Sequence, residues 1–262
     1  MFTNIDYPRV FVVMTIITGL IWLYDKIFWQ PDRRTENGID KREPHVVGLA
    51  HFLFPLLFIV LIIRAFLVQP YVVPTGSLKP TVKPGDFLFV NKFAYQLQLP
   101  VWHTQLARTG HPKTGDIIVF RWPVNPTVNY VKRVIGRPGD KISYVNKELF
   151  INGKAQPQTM LKEETHTDDS GFEWSTKVME ETLNGKKHKI LIRTDRPAQN
   201  FYNLVVPKHH LFMMGDNRDN SDDSRFWGFV DEHALQGKAF LIWFSWDNIK
   251  SRIRFSQIGN LL

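Results

Sequence analysis

Cysteine is absent from all 262 residues, which at once excludes thiol nucleophiles, disulfide frameworks and zinc-thiolate sites. Acidic side chains are the minority charge, 25 Asp and Glu against 33 Lys and Arg, and the net charge of +8 favours anionic surfaces. No basic block with interleaved aromatics marks a nucleic-acid module, so the expected anionic partner is a lipid bilayer, with no nucleic acid. H-E-x-x-H is missing, and with it the ligands of a zinc peptidase. The Asp- and Asn-rich run Gly215 to Val230 (GDNRDNSDDSRFWGFV) invites a calcium reading, but an EF-hand loop opening at Asp219 needs Gly at 224 and Glu at 230, where the chain has Ser224 and Val230. Without a ligand role, that run reads as a hydrogen-bonded Asx-turn loop. There is no internal repeat and no low-complexity tract.

Two long uncharged runs stand near the N-terminus. Val10 to Tyr24 extends past Asp25 and Lys26 to Trp29, and Val46 to Ile63 continues past Arg64 to Val68. Spans of about 10–29 and 46–68 meet the length a bilayer requires, about 20 mostly apolar residues. A cleavable leader is the alternative for the first run, but its only positive flank is Arg9, balanced by Asp6, and no small-x-small cleavage site follows. A buried helical hairpin is the alternative for both. The polar connector 30–45 and the interfacial aromatics Trp22, Tyr24 and Trp29 weigh against it. The connector carries Arg33, Arg34, Lys41 and Arg42, so positive-inside bias puts it in the cytoplasm, with both termini and everything from about Gln69 on the far side. The expected organisation is a membrane anchor over 1–68 followed by an extracytoplasmic region over 69–262.

The outer region reads as strands. FLFVNKF (Phe87 to Phe93), DIIVFRW (Asp116 to Trp122), VNYVKRVI (Val128 to Ile135) and KISYV (Lys141 to Val145) are short, apolar or alternating, and bounded by Pro, Gly or Asn. ELFINGK, KILIRT, HLFMMGD and AFLIWFSW continue the pattern. Asn152-Gly153 and Asn184-Gly185 have hairpin-turn chemistry. A mainly β region is therefore expected. The polar stretch of about 154–189 interrupts the apolar strands, as an inserted sub-domain or as surface loops.

Ser77 sits just beyond the second apolar run, in the proline-rich turn YVVPTGSLKPTVKPGD. A serine in such a turn is ordinarily solvated or caps a helix, and a nucleophilic role needs a base, either His or an uncharged Lys. Thr75-Gly76-Ser77-Leu78-Lys79 is neither G-x-S-x-G nor the start of S-x-x-K, and Lys113-Thr114-Gly115 matches K-T-G alone, so α/β-hydrolase and penicillin-binding chemistry lack support. Lys132 is the candidate base. Strand alternation puts it on an apolar face with Val128, Tyr130 and Val134, where desolvation lowers an amine's pKa from about 10.4 toward 7 or 8. The alternative is a strand lysine that snorkels to water.

Taken together and in this order, PTGSLKPT, GDIIVFRWP followed by YVKRVIGRPGD, and GDNRDNSDDSRFWGFV resemble bacterial type I signal peptidases, membrane-anchored serine proteases with a Ser/Lys dyad. The resemblance runs from Tyr71 to Phe244 and is weak only in the polar middle. It implies a β-rich catalytic region with antiparallel sheets, outside the cytoplasmic (inner) membrane of a bacterium, with no metal or organic cofactor. By resemblance Ser77 is the nucleophile and Lys132 the general base, Thr75 completes an oxyanion hole with the Ser77 backbone N–H, and Ser221 orients the lysine amine. Gly215, Asp223 and Arg225 are supporting residues, the last two as an ion pair. Tyr71, Val73, Leu78, Val82, Tyr130 and Val131 line pockets for signal peptides of preproteins, with small residues at −1 and −3. Thr75 and Leu78 depart from the usual S-G-S-M, though threonine keeps the hydroxyl and leucine the apolar volume. The rival from another class is a non-catalytic, membrane-anchored peptide-binding or assembly protein, and within proteases a self-cleaving regulator.

Overall fold

A computed structural model describes residues 7–30, 43–62, 68–98, 105–167 and 173–262. The chain divides into two units, residues 1–68 with 98–106, and residues 69–97 with 107–262. The connector residues 31–42 and the apolar continuation 63–67 lie outside the described residues.

The first unit contains two helices, α1 (Tyr7–Tyr24), which continues through a π-helical turn at Asp25–Trp29, and α2 (His45–Ile62). α1 holds no proline within its apolar stretch, and its two threonines hide their hydroxyls by donating back to carbonyls one turn earlier, Thr15 to Phe11 and Thr18 to Met14, each at 2.8 Å. Trp22 packs against Phe54 at 5.3 Å, and a Cβ at Gly19 would collide with that same Phe54 ring, so the glycine permits the close approach of α1 to α2. Most other large apolar side chains of both helices face outward, which in water would be costly, and both helices are long and apolar enough to cross a membrane. Asp25, the carboxylate buried between them, stands 3.2 Å from His51 of α2. Val68, expected to end the second span, instead opens a strand.

The second unit is built of strands. In chain order these are β1 (Val68–Val72), β2 (Asp86–Asn91), β3 (Gln96–Gln98), β4 (Gln105–Arg108), β5 (Ile117–Arg121), β6 (Asn129–Gly136), β7 (Lys141–Val145), β8 (Glu148–Ile151) and β9 (Lys154–Ala155). They continue with β10 (Gln158–Thr167), β11 (Glu173–Leu183), β12 (Lys186–Arg193), β13 (Phe201–Val205), β14 (His210–Met214), β15 (Val230–Asp231), β16 (Leu235–Asp247) and β17 (Arg252–Ile253). The short helix α3 (Ser224–Trp227) lies between β14 and β15. The largest sheet runs β1-β2-β16-β5-β6-β14-β15, with β17 on β16, and its strand pairs from β2 to β15 are antiparallel. Beside it are a four-stranded sheet β13-β7-β8-β9 and a three-stranded sheet β10-β11-β12. The mainly β architecture and the two N-terminal apolar helices are thus as the sequence leads one to expect.

The central strands are covered on both faces, which explains their unbroken apolar runs. Ile117 and Val119 of β5 pack with Leu78, Val82, Leu88 and Ile242, whereas Ile118 and Phe120 point to the opposite face with Val134, Leu211 and Met213. A third cluster, Ile135, Ile142, Tyr144, Leu183, Phe212 and Met214, joins the sheets. β16 serves both β2 and β5 over 13 residues, and its register shifts at Ala239/Leu241, Ile242/Phe244 and Leu235/Gly237 bend it. Gly237 is required there, because its φ of 152° places a Cβ against the Asn91 carbonyl. Asn152-Gly153 and Asn184-Gly185 do form the expected tight turns, with positive φ at all four residues. The polar stretch after Lys154 is mostly strand, the β10-β11-β12 meander.

Candidate active site

The turn that carries Ser77 is clamped at its base and plugged through its middle. Val73 N–H donates to the Asp86 carbonyl at 2.9 Å and Gly85 N–H to the Val73 carbonyl at 2.8 Å, closing the turn between β1 and β2. Leu78 and Val82 insert into the core, and the Val82 amide donates to the Leu78 carbonyl at 3.0 Å. With its neighbour locked in place, Ser77 is itself almost buried.

A second element holds the turn from the other side. The Asn217 backbone N–H donates to the Ser77 carbonyl at 3.0 Å, and its side-chain amide donates to the Gly76 carbonyl at 3.1 Å. The Asp216 carboxylate accepts from Thr81 Oγ1 at 2.6 Å and from Arg133 Nε and Nη2, each at 2.7 Å. Arg133 adjoins Lys132 on β6, so one buried carboxylate ties the serine turn to the lysine strand. Farther along the same loop Asp223 caps α3, accepts the Gly215 amide at 3.0 Å, and grips Arg225 through both oxygens at 2.8 and 2.9 Å. A Cβ on Gly215 would overlap both Ser221 Oγ and the Ser77 carbonyl, which accounts for glycine at that position. The expected Asp223–Arg225 pair is present, and Gly215 sits where the two halves of the site touch.

Ser77 and Lys132 line one groove of about 500 Å3, walled by Tyr71 to Leu78, Val128 to Lys132, and Asn220 to Asp222. Thr75 and Ser221 line it too, as do the expected pocket residues Tyr71, Val73, Leu78, Tyr130 and Val131. Val82 does not, and this corrects the sequence reading: the helical bond from its amide to Leu78 turns its side chain inward, where it is fully buried in the core. The groove is dry enough for burial to push the Tyr71 phenol up to about 12.

Lys132 lies opposite Ile118 of β5 and is only 4 % exposed. Burial lowers its pKa to about 8, with Arg225 adding to the depression while Asp223, Asp222 and Asp216 pull the other way. Those carboxylates are already engaged, Asp223 by Arg225, Asp216 by Arg133 and Asp222 by the Tyr130 hydroxyl at 3.0 Å. Among the described residues the amine has no salt-bridge partner, and it stands 5.3 Å over the Tyr130 ring. Ser221 Oγ is buried and has no hydrogen-bond partner among the described residues. Thr75 Oγ1 is 3.5 Å from Ser77 Oγ. No hydrogen bond joins Ser77 Oγ to Lys132 Nζ, and such catalytic contacts commonly tighten only once substrate is in place.

A family model described as "Signal peptidase, peptidase S26" matches residues 46–246, a span that includes every groove residue named above. The chain belongs to the signal peptidase family, peptidase S26. It is therefore a serine-type endopeptidase, a hydrolase, and the non-catalytic alternative falls away. The chain is 39 % identical to a signal peptidase I of Pseudomonas fluorescens and 36 % identical to one of Pseudomonas aeruginosa, with 98 % of this chain and 99 % of the relative covered in each case. A crystal structure of a signal peptidase I from Enterococcus faecalis V583 is 28 % identical and covers 49 % of this chain and 96 % of that one, with a TM-score of 0.33.

Sequence reasoning passed over several residues of this peptidase site. Asn217 and Asp216 fasten the serine turn, and Arg133 was hidden beside the more conspicuous Lys132. Glu181 and Arg218, buried partners from the polar stretch and the acidic loop, were missed altogether; burial opposes the Glu181 charge, but Arg218 and His188 outweigh it and hold the carboxyl at about 2. The abundance of Asp and Asn between 215 and 223 was the available signal. Among the described residues, Asp25, Glu43 and His51 of the helical unit have metal-ligand atoms grouped within 4.8 Å of one another, and none of them lines the groove.

Proposed function

We propose that this protein removes signal peptides from preproteins, with Ser77 as nucleophile and Lys132 as general base. The observation that supports it most is a buried amine with a pKa lowered to about 8, without a carboxylate partner, in the same groove as a serine hydroxyl. Neutral Lys132 takes the Ser77 proton as Oγ attacks the carbonyl after the last signal-peptide residue. The negative oxygen that develops is met by the Ser77 backbone N–H and the Thr75 hydroxyl. The ammonium then passes its proton to the departing amine, leaving an acyl-enzyme and a neutral lysine that activates water for hydrolysis. Ser221 Oγ, buried without a partner among the described residues, accepts a hydrogen bond from the amine and aims its lone pair at Ser77.

Tyr71, Val73, Leu78 and Val131 fill most of the apolar wall, so small side chains at −1 and −3 fit best. The peptide binds extended, through main-chain hydrogen bonds. α1 and α2 anchor the chain in the inner membrane with their basic connector in the cytoplasm, and the β-rich unit works on the outer side. Trp243, Trp246 and Phe255 are exposed aromatic side chains of the kind that suit the bilayer interface.

Cleavage of a defined preprotein by the purified full chain tests this reading. Ser77→Ala and Lys132→Ala should each lower the rate by about 10^4-fold. Undiminished cleavage by either variant refutes the dyad.

A further inference from the structure

A second groove, of about 630 Å3, has Lys79 and Pro80 of the serine turn in its wall. Lys79 is two residues after Ser77, and Asn220 lines both this groove and the catalytic one, so the two share a wall residue beside the serine turn. Six cationic side chains line it against two carboxylates. Both carboxylates are spoken for, Glu164 by Lys162, and Asp247 by the backbone amides of Ile249 and Lys250. Lys162, Arg193 and Arg254 pair with Glu164, Asp195 and Asp86 respectively. Lys79, Lys83 and Lys189 remain, and among the described residues none of the three has a carboxylate partner. Val178, Leu191 and Trp174 add apolar surface to its lining.

We propose that this basic groove receives the first residues of the mature chain, those that follow the scissile bond, and that it favours acidic side chains there. The inference rests on Ser77 being the nucleophile. If the signal-peptide side occupies the groove of Tyr71 to Leu78, the chain beyond the cleaved bond must leave past Ser77 by another route, and the groove that shares Asn220 offers one. An extended peptide lays its backbone along the Asn217 and Asn220 side of the groove. Its alternate side chains reach the lysine ammoniums, which make no salt bridge among the described residues. An anionic lipid headgroup would satisfy the same charges, but the wall residue shared with the catalytic groove and the nearness of Lys79 to Ser77 favour the peptide.

The test uses the purified full chain and three preproteins that share one signal peptide and differ only in the first few mature residues, made rich in Glu, Gln or Lys. The wild type should cleave the Glu form about tenfold more efficiently in kcat/KM than the Lys form, the size expected of one or two partly exposed charge pairs, and salt should erode the difference. In Lys83→Glu/Lys189→Glu the preference should reverse while the Gln form is cleaved as before; Lys83→Gln/Lys189→Gln, the milder change, should abolish it. A wild type indifferent to the three forms overturns the inference, as does an equal loss on all three in both variants. So does a stimulation by vesicles of anionic lipid that is alike for all three substrates and is lost in both variants, which would assign the groove to headgroups. Failure of the wild type to cleave any of the three overturns the active-site reading itself, a result distinct from cleavage without charge preference.

Discussion

Lowering the pH through the Lys132 pKa should switch the enzyme off along a computable curve. With a pKa of about 8, half the amine is neutral near that pH, about a tenth one pH unit lower and about a hundredth two units lower. Because the neutral form is the base, kcat/KM should fall about tenfold per pH unit on the acid side and level off above about 8.5, reporting the free enzyme. An ordinary lysine would place the whole rise two to three units higher. The same burial has a stability signature. Its folded-state pKa is below the unfolded value of 10.5, so the unfolded chain binds more protons between about 8 and 10.5 and stability rises with pH across that window. Below about 8 the penalty is at its full size, about 3 kcal/mol as an upper bound. Lys132→Met, which keeps the volume and removes the amine, should therefore be inactive yet more stable than wild type around neutral pH, by up to that amount. The assays are kcat/KM on a synthetic preprotein from about pH 5.5 to 10 and denaturant unfolding of the detergent-solubilised chain. A rate that is flat between about pH 6 and 8, or a Lys132→Met variant that is less stable at neutral pH, would refute the reasoning.

Two further outcomes follow from the same geometry. Ser221→Ala should lower kcat about 100-fold with little change in KM, the usual cost of misplacing a catalytic group by about an ångström, and Ser221→Thr should restore part of it, since a purely structural role would not track the hydroxyl. Glu181→Gln leaves Arg218 buried beside a neutral amide and should cost about 3–5 kcal/mol in unfolding experiments. In the wild type the Glu181 contribution should be complete above about pH 4.5 and fade as pH falls toward about 2, because its folded pKa lies below its unfolded one.

Much of this site could be read from the chain because its parts obey local rules. The β5 run IIVF and the β6 run YVKRVI announce themselves through β-branched and aromatic composition, and Asn152-Gly153 and Asn184-Gly185 through their tolerance of positive φ. Strand alternation does put Lys132 on the face of Ile118, Phe120 and Val134. The polar stretch resisted reading because β10 is largely exposed on both faces, so its Lys and Glu residues carry no apolar rhythm even though nine of its residues pair with β11 around a register shift at Met160/Lys162. Val82 was misplaced because its direction depends on a single turn of helical bonding after Leu78, which composition does not encode. Arg133–Asp216 and Glu181–Arg218 join residues 83 and 37 positions apart. No local pattern announces such pairs, because each carboxylate looks solvated until the fold brings its guanidinium.

The most direct test of the central claim is to trap the acyl group. The full chain, quenched in acid during turnover of a slowly deacylating peptide ester, should show by mass spectrometry one added acyl group on the peptide that contains Ser77. The adduct should be absent from Ser77→Ala and should form far more slowly in Lys132→Ala. Turnover that continues with no adduct on Ser77, or an adduct on another residue that survives Ser77→Ala, would contradict the account.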